Sequence, residues 1–284
     1  MDLARASVNQ YTVKPLSLLA AIDVCLRHGI PAIAPWRDKV EELGLQRAAR
    51  ALRQSGLRVS SLCRGGFFPA ATGEQRANAI DENKRAITEA AELGTKVLVI
   101  VCGSAVRGVS LSDARMMVAE GIAALMPFAE AHGVRLAIEP LHPMMIAERS
   151  VIVSLGEAID LAASFASPFA GVIVDVYHVF WDHRVHQEIA RAGERIFGFH
   201  LSDWRTPAGD ITADRAMLGD GIIDLKGLAG SVAQAGFCGD IEIEVLSERL
   251  WREDPDTLLR TALSRYAEID PPADPARYRP VNAI

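Results

Sequence analysis

The sequence predicts an α/β fold, a single-domain (β/α)8 TIM barrel, from three observations. Short runs of strand-forming residues alternate with longer amphipathic stretches along the whole chain, a pattern typical of parallel βαβ units. Eight such cycles occupy about 270 residues, which is the size of one barrel. No linker, charge block or low-complexity segment divides the 284 residues into separate units.

The eight predicted strands are short and mostly apolar, as parallel strands covered on both faces require. They are Ala6–Tyr11, Ala32–Pro35, Val59–Cys63, Lys96–Cys102, Arg135–Pro140, Gly171–Val176, Ile196–Leu201 and Asp240–Leu246. Each strand is followed by a stretch with helical periodicity, and five of these stretches close on a glycine, a helix-stop signal. The predicted helices are Pro15–His28, Leu43–Ser55, Glu74–Leu93, Leu111–His132, Ser154–Phe165, His183–Ala192, Leu225–Ala235 and Pro255–Ile269.

A doubly wound parallel sheet is the alternative fold. It would usually carry a glycine-rich fingerprint after the first strand, and the sequence has none there. We therefore assign residues 1–270 to the barrel and residues 271–284 to a proline-rich C-terminal tail. The tail is expected to pack on the barrel exterior or on a neighbouring subunit, and we expect a homo-oligomer.

Composition excludes several classes of function. The net charge is −6 and no basic run is present, which argues against a nucleic-acid partner. No apolar stretch reaches membrane-spanning length, and the N-terminus lacks the order of a secretory signal. The four cysteines are scattered without a CxxC pattern, as expected for reduced core residues. We expect a cytoplasmic protein without a membrane partner.

Four ligand-type residues lie at the C-terminal ends of four successive predicted strands. They are Glu139 in LAIEP, Asp175 in VIVDVYH, His200 in FGFHLSD and Glu244 in IEIEVLS. Charged groups inside apolar strands are costly to bury, and a hard divalent cation would neutralise the carboxylates and accept the imidazole. The sequence therefore predicts one metal ion at the mouth of the barrel, where such barrels carry their chemistry. The ligand set favours Mn²⁺, Mg²⁺ or Co²⁺, with Zn²⁺ possible.

Glu242 competes with Glu244 for the place on the eighth strand. Both have the same strand parity, so both are expected to face the barrel interior. Glu244 is preferred because it is nearer the C-terminal end of the strand. Glu242 is expected to pair with a buried base or to contact water at the barrel floor.

Other polar and aromatic residues follow strands and should lie near the mouth. His142 and His178 are candidates for substrate contacts, with backbone capping as the alternative. Trp36 and Trp204 follow the second and seventh strands, where their rings can stack on a carbohydrate or wedge the loops apart.

The long loop Asp203–Gly221 contains Arg205 and Arg215. Arg205 is the preferred substrate ligand, while Arg215 can equally form an ion pair with Asp214 or Asp220. Loops this long are usually functional, and we expect this one to be a lid that orders when substrate binds.

The ordered set Glu139, Asp175-Val-Tyr-His178, His200-Leu-Ser-Asp203-Trp-Arg205 and Glu244 resembles the sugar phosphate isomerase/epimerase superfamily with the xylose isomerase-like barrel. Ketose 3-epimerases, hydroxypyruvate isomerase and inosose isomerases and dehydratases belong to it. The stretch ADRAMLGDGIIDL resembles the family's LGxGxxD loop. The resemblance implies a Mn²⁺, Mg²⁺ or Co²⁺ ion on the four ligands, and substrate contacts from His178 and Arg205. It also implies that Glu139 and Glu244 are the catalytic acid/base pair.

The function implied is that of a divalent-metal-dependent isomerase or epimerase. Its substrate would be a ketose, a keto-cyclitol or a related polyhydroxy carbonyl compound, with proton transfer through a metal-stabilised enediolate. The alternative is a lyase on the same site, related to inosose or 3-dehydroshikimate dehydratases or to enzymes that eliminate from 3-keto-glycosides. An endonuclease IV-like DNA-repair enzyme would need more histidine ligands and a basic face.

Overall fold

Nine parallel strands form the barrel wall in the computed structural model, which describes residues 3–269. The strands are β1 (Ala6–Asn9), β2 (Ala32–Ala34), β3 (Arg58–Val59), β4 (Leu62–Gly66), β5 (Val97–Val101), β6 (Arg135–Glu139), β7 (Ala170–Asp175), β8 (Ile196–Leu201) and β9 (Ile241–Ile243). Their order in the sheet is β3-β2-β1-β9-β8-β7-β6-β5-β4. The predicted barrel of parallel strands is confirmed.

The ninth strand arises because the third predicted strand is broken into β3 and β4. β3 pairs with β2, and β4 pairs with β5. The Cys63 backbone N–H donates to the Pro35 carbonyl oxygen at 3.2 Å, so the break lies where the two edges of the sheet meet. At the break, Ser60 donates from its hydroxyl to Glu242 inside the barrel. The wall therefore keeps eight positions although nine strands are counted.

Ten helices surround the described part of the wall. They are α1 (Leu18–Arg27), α2 (Arg37–Leu43), α3 (Leu45–Ser55), α4 (Gly73–Leu93), α5 (Leu111–Ala131), α6 (Leu155–Ser164), α7 (Val176–Val179), α8 (Val185–Ala192), α9 (Leu225–Gln234) and α10 (Pro255–Ile269). Two of them, α2 and α7, were not predicted. Gly44, with a positive φ of 87°, separates α2 from α3. None of the described helices is long and apolar enough to cross a bilayer.

Four of the helices begin at serine or threonine caps that the sequence displays. The side chains of Ser17, Thr72, Ser110 and Ser154 each accept a hydrogen bond from the backbone N–H three residues further on. Such caps satisfy donors that the first helical turn leaves unpaired. They explain why the predicted helices begin within a few residues of the observed ones.

Apolar side chains form two layers, one between strands and helices and a smaller one inside the barrel. The inner layer contains Ala137 and Ile173, two residues before Glu139 and Asp175 on their strands. This alternation points the carboxylates at the mouth. A Cβ atom at Gly198 would lie 2.6 Å from Ile173 Cδ1, so a larger residue just below His200 would displace the Ile173 side chain. The predicted tail of residues 271–284 lies outside the described residues.

Candidate metal centre

Four ligand-type residues converge at the C-terminal mouth of the barrel. Glu139 ends β6, Asp175 ends β7, His200 lies in β8, and Glu244 follows β9 by one residue. One ligand atom from each lies within 4.8 Å of the others, and all four residues are buried. The structure thus brings together the four residues proposed from the sequence as metal ligands.

The atoms of this cluster fit a cation better than they fit one another. His200 Nδ1 lies 3.3 Å from Glu139 Oε1 and 3.3 Å from Glu244 Oε2. Within residues 3–269, however, Glu139 Oε1 and both ring nitrogens of His200 have no hydrogen-bond partner. Ligand atoms that share one ion at bond lengths of about 2.1 Å are separated by roughly 3.0–3.4 Å. Buried polar atoms that approach closely without bonding therefore support a divalent cation between them.

Burial and neighbouring charges shift the pKa values of the cluster residues in opposite directions. Burial raises the pKa of Glu139 above its usual range. Burial would do the same to Glu244, but the adjacent Arg215 and His200 hold the pKa of Glu244 below its usual range. For His200, burial lowers the pKa, and the surrounding glutamates outweigh that effect and raise it. The cluster is therefore an electrostatically strained group of carboxylates that a cation would relieve.

Glu242 lies deeper in the barrel and touches the histidine of the cluster. Its Oε2 is 3.4 Å from His200 Nε2, on the ring edge opposite the side that faces the other ligands. Its Oε1 accepts a hydrogen bond from Ser60 Oγ at 2.9 Å, and Asn9 Nδ2 lies 3.4 Å from Oε2. Asn9 also donates to Glu244 Oε1 at 3.0 Å, which links the two glutamates. Glu242 is placed to hold the imidazole, while Glu244 faces the cavity.

Arg215, rather than Arg205, reaches the cluster. Arg215 is buried, and its Nη1 donates to Asp175 Oδ2 at 3.0 Å and to Glu244 Oε2 at 3.3 Å. Arg205 is 43% exposed and donates to Asp214 at 3.1 Å, away from the cavity. Substrate binding by Arg205 stays a prediction, and the structure places Arg205 outside the cavity lining. Arg215 lies within ADRAMLGDGIIDL, the stretch already singled out, so a signal for it was present.

The fold of the loop explains why Arg215, and not Arg205, reaches the cluster. Asp203 accepts hydrogen bonds from the backbone N–H groups of Gly219, Gly221 and Ile223, which draws the end of the loop back to its beginning. A Cβ atom at Gly221 would lie 2.3 Å from Asp203 Oδ1, so this close approach needs glycine. The backbone N–H of Arg215 donates to the Leu246 carbonyl oxygen, and the Arg215 side chain points toward the cluster. Ordering of this loop by substrate stays a prediction.

His178 contacts the cluster through Arg215. Its Nε2 lies 3.2 Å from Arg215 Nη2 and 3.6 Å from Asp175 Oδ2. Burial lowers the pKa of His178 to about 3, so the ring is neutral. Its Nδ1 accepts from the backbone N–H of His142, while the Arg215 guanidinium, which can only donate, faces Nε2. A neutral ring accepts at only one nitrogen, so these two contacts compete. His178 lines the cavity beside Arg215.

Three other candidates separate into one cavity residue and two packing residues. Trp36 lines the cavity and stacks on Tyr11 with ring centroids 3.5 Å apart. His142 and Trp204 do not line it, and their rings pack against each other in a tilted arrangement with centroids 4.8 Å apart. Trp204 also packs on Phe180 and is 8% exposed. Substrate contacts of His142 and Trp204 stay predictions.

A cavity of about 340 Å³ opens above the cluster. Glu139, Glu244, His178 and Arg215 line it together with Tyr11, Trp36 and several basic side chains. This volume is near the lower end of the range for small-molecule sites, about 300–1,000 Å³. The cavity therefore suits a ligand the size of a monosaccharide.

The chain belongs to the family of xylose isomerase-like TIM barrels, whose family profile matches residues 22–268. Among curated relatives, the L-ribulose-5-phosphate 3-epimerase UlaE of Escherichia coli O1:K1 is 25% identical over 229 residues, which cover 77% of this chain and 76% of the relative. An inosose isomerase of Bacillus velezensis is 24% identical over 260 residues, covering 88% and 91%. These relatives are isomerases and epimerases of sugar-like compounds.

Two solved structures show the same architecture. Protein SMc04130 from Sinorhizobium meliloti 1021 superposes with a TM-score of 0.92 at 46% identity, covering 95% of this chain and 99% of that one. The IOLI protein, solved with a bound zinc atom, superposes with a TM-score of 0.82 at 19% identity, covering 93% and 97%. The second likeness is evidence for the fold alone.

Proposed function

We propose that the protein is a divalent-metal-dependent isomerase or epimerase of a ketose, a keto-cyclitol or a related polyhydroxy carbonyl compound. The observation that carries the proposal is the convergence of Glu139, Asp175, His200 and Glu244 at the barrel mouth, below a cavity of monosaccharide size. The activities of the curated relatives support the same class of reaction. Three carboxylates and one imidazole favour Mn²⁺, Mg²⁺ or Co²⁺. The zinc atom in the IOLI structure makes Zn²⁺ a further candidate.

Glu139, Asp175, His200 and Glu244 would hold the cation. When bound, it would supply Lewis-acid polarisation of the substrate carbonyl and of the adjacent hydroxyl group. Arg215 holds Asp175 and Glu244 in place, because its guanidinium donates to both carboxylates.

Glu139 and Glu244 are the proposed acid/base pair. They come from β6 and from the end of β9, which β7 and β8 separate in the sheet, so they approach a substrate from different directions. One carboxylate removes the proton from the carbon next to the carbonyl, and the other delivers a proton to the opposite face or to the neighbouring carbon. Delivery to the same carbon gives an epimer, and delivery to the neighbouring carbon gives an aldose–ketose isomer.

Substrate positioning falls to residues that line the cavity. His178 offers an imidazole ring, and Trp36 offers an aromatic edge and part of a face beside its Tyr11 stack. Such contacts suit the hydroxyl groups and the apolar C–H surface of a sugar.

Solvent deuterium incorporation tests the proposed function. The chelated protein is reloaded with Mn²⁺ and incubated in D₂O with a panel of ketoses, ketose phosphates and keto-inositols, and exchange is followed by NMR. Deuterium uptake at one carbon supports isomerase or epimerase chemistry. Loss of water would instead indicate the lyase alternative, and no reaction with any member would contradict proton transfer on this class of compound.

A further inference from the structure

Three basic side chains line the cavity without an ion-pair partner in the described part of the chain. Lys14, Arg64 and Arg149 all border it, and all three are partly buried. No carboxylate of residues 3–269 lies within 4.0 Å of their charged nitrogens, in contrast to Arg215 on the floor of the same cavity. Partly buried cations without partners inside a ligand cavity are a candidate anion site.

Aromatic rings hold two of these cations in place without neutralising them. Lys14 Nζ lies 4.8 Å from the Tyr11 ring centroid and 4.6 Å from that of Trp251. The Arg64 guanidinium lies 5.2 Å from the Trp36 ring centroid. Cation–π contacts stabilise a charge but leave its hydrogen-bond donors free for a ligand.

Arg64 and Arg149, which both line the cavity, repel each other electrostatically. Burial lowers the pKa of Arg149, and the positive charge of Arg64 lowers it further. Two carboxylates, Asp210 and Glu248, line the same cavity, but both are exposed to solvent, which screens their effect. Asp210 is also engaged, since it accepts hydrogen bonds from the backbone N–H and the hydroxyl of Thr212 at 2.8 and 2.6 Å.

The metal centre does not require all three of these cations. Its carboxylates are four, Glu139, Asp175, Glu244 and the adjacent Glu242, and a divalent ion together with Arg215 would balance three of their charges. At least two of the three cavity cations are therefore in excess of what the metal centre needs. Guanidinium groups match the geometry of phosphate and carboxylate oxygens, to which they donate paired hydrogen bonds.

We propose that Arg64 and Arg149, assisted by Lys14, form an oxyanion subsite, so that the substrate carries a phosphate monoester or a carboxylate in addition to its carbonyl group. This inference rests on the proposed function for the identity of the rest of the substrate. It narrows the substrate class from neutral ketoses and cyclitols to anionic ones.

Calorimetric binding to the Mn²⁺-loaded protein tests the subsite separately from turnover. The probes are ribitol 5-phosphate, ribonate and neutral ribitol, none of which has the ketone or aldehyde group that the proposed reaction needs. The variants are Arg64→Gln and Arg149→Gln, and the matched control is Arg50→Gln on the exposed face of α3. We expect at least one anionic probe to bind about tenfold or more tightly than ribitol, because each charge-assisted hydrogen bond contributes that order of affinity. That preference should fall about tenfold in each cavity variant and should be unchanged in Arg50→Gln.

The two anionic probes distinguish a phosphate site from a carboxylate site. Equal binding of all three probes, or an anion preference that survives in both cavity variants, would overturn the oxyanion subsite. Deuterium exchange with a neutral ketose, insensitive to Arg64→Gln and no slower than with its phosphate, would also overturn it while leaving the proposed function intact. Anion binding that depends on Arg64, without exchange on any ketose, would uphold the subsite and contradict the proposed function.

Discussion

Glu242→Gln is expected to loosen metal binding although Glu242 is not one of the four proposed ligands. His200 Nδ1 faces the other ligands, and Nε2 lies 3.4 Å from Glu242 Oε2. If Nδ1 binds a cation, the ring proton belongs on Nε2, and Glu242 is the group that can accept it. Carboxylates in this position orient a metal-binding imidazole and make it more basic.

The size of the effect follows from the donors around this carboxylate. Besides its contact with His200, Glu242 accepts hydrogen bonds from Ser60 Oγ at 2.9 Å and from Asn9 Nδ2 at 3.4 Å. A glutamine at this position has only one accepting oxygen. Its NH₂ group would therefore face one of these donors. A lost charge-assisted hydrogen bond costs about 1.5–3 kcal/mol, which is roughly 10- to 150-fold in affinity. The Ser60 hydroxyl can rotate to accept the new amide, so we expect the lower end, about tenfold.

Titration calorimetry of the chelated protein with Mn²⁺ measures this effect. Glu244→Gln, two residues further along the chain, is the matched comparison and should weaken Mn²⁺ binding more, because it removes a ligand charge. Thermal unfolding of the chelated variants checks that both are folded. An affinity for Mn²⁺ that is unchanged in Glu242→Gln, or reduced more than in Glu244→Gln, would refute the assigned roles of the two glutamates.

Three further predictions concern the acid/base pair, the arginines and the loop. Glu139→Gln and Glu244→Gln should each abolish deuterium exchange while near-native circular dichroism is retained; full exchange in either would exclude it as a proton carrier. Arg215→Met should lower the free energy of unfolding of the chelated protein by about 3–5 kcal/mol, because it leaves buried carboxylates unpaired, whereas the exposed pair of Arg205 should contribute at most about 1 kcal/mol in Arg205→Ala. Equal losses in urea denaturation would contradict this difference. Limited proteolysis within residues 203–221 should slow when metal and substrate are added together. Equal protection in the free protein would show that the loop is already ordered and would contradict its role as a lid.

The barrel and the cluster of four ligand-type residues were predictable because they depend on local patterns. Alternation along a strand places Glu139 above Ala137, and the parallel order of the strands brings the carboxyl ends together at one mouth. The same reasoning ranked Glu244 above Glu242 by distance from the strand end alone. Neither inference required knowledge of a contact between residues distant in the sequence.

The positions of the remaining candidate residues depend on the paths of loops. The position of Arg215 follows from the backbone donors that Asp203 collects sixteen to twenty residues further along the chain, and no local pattern encodes that return. His142 and Trp204 follow strands, as expected, but their rings pack against each other where two neighbouring loops meet. At the break between β3 and β4, Ser60 likewise contacts Glu242, which is distant in the sequence.

Manganese binding measured by electron paramagnetic resonance tests the central claim most directly. The signal of free Mn²⁺ is followed as the chelated protein is titrated, in the wild type, in Asp175→Asn and in the surface control Asp160→Asn. We expect one Mn²⁺ per chain in the wild type and in Asp160→Asn, and an affinity at least about tenfold weaker in Asp175→Asn, because an isosteric change removes one ligand charge. Absence of Mn²⁺ uptake by the wild type, or uptake by Asp175→Asn equal to that of the control, would contradict the metal centre.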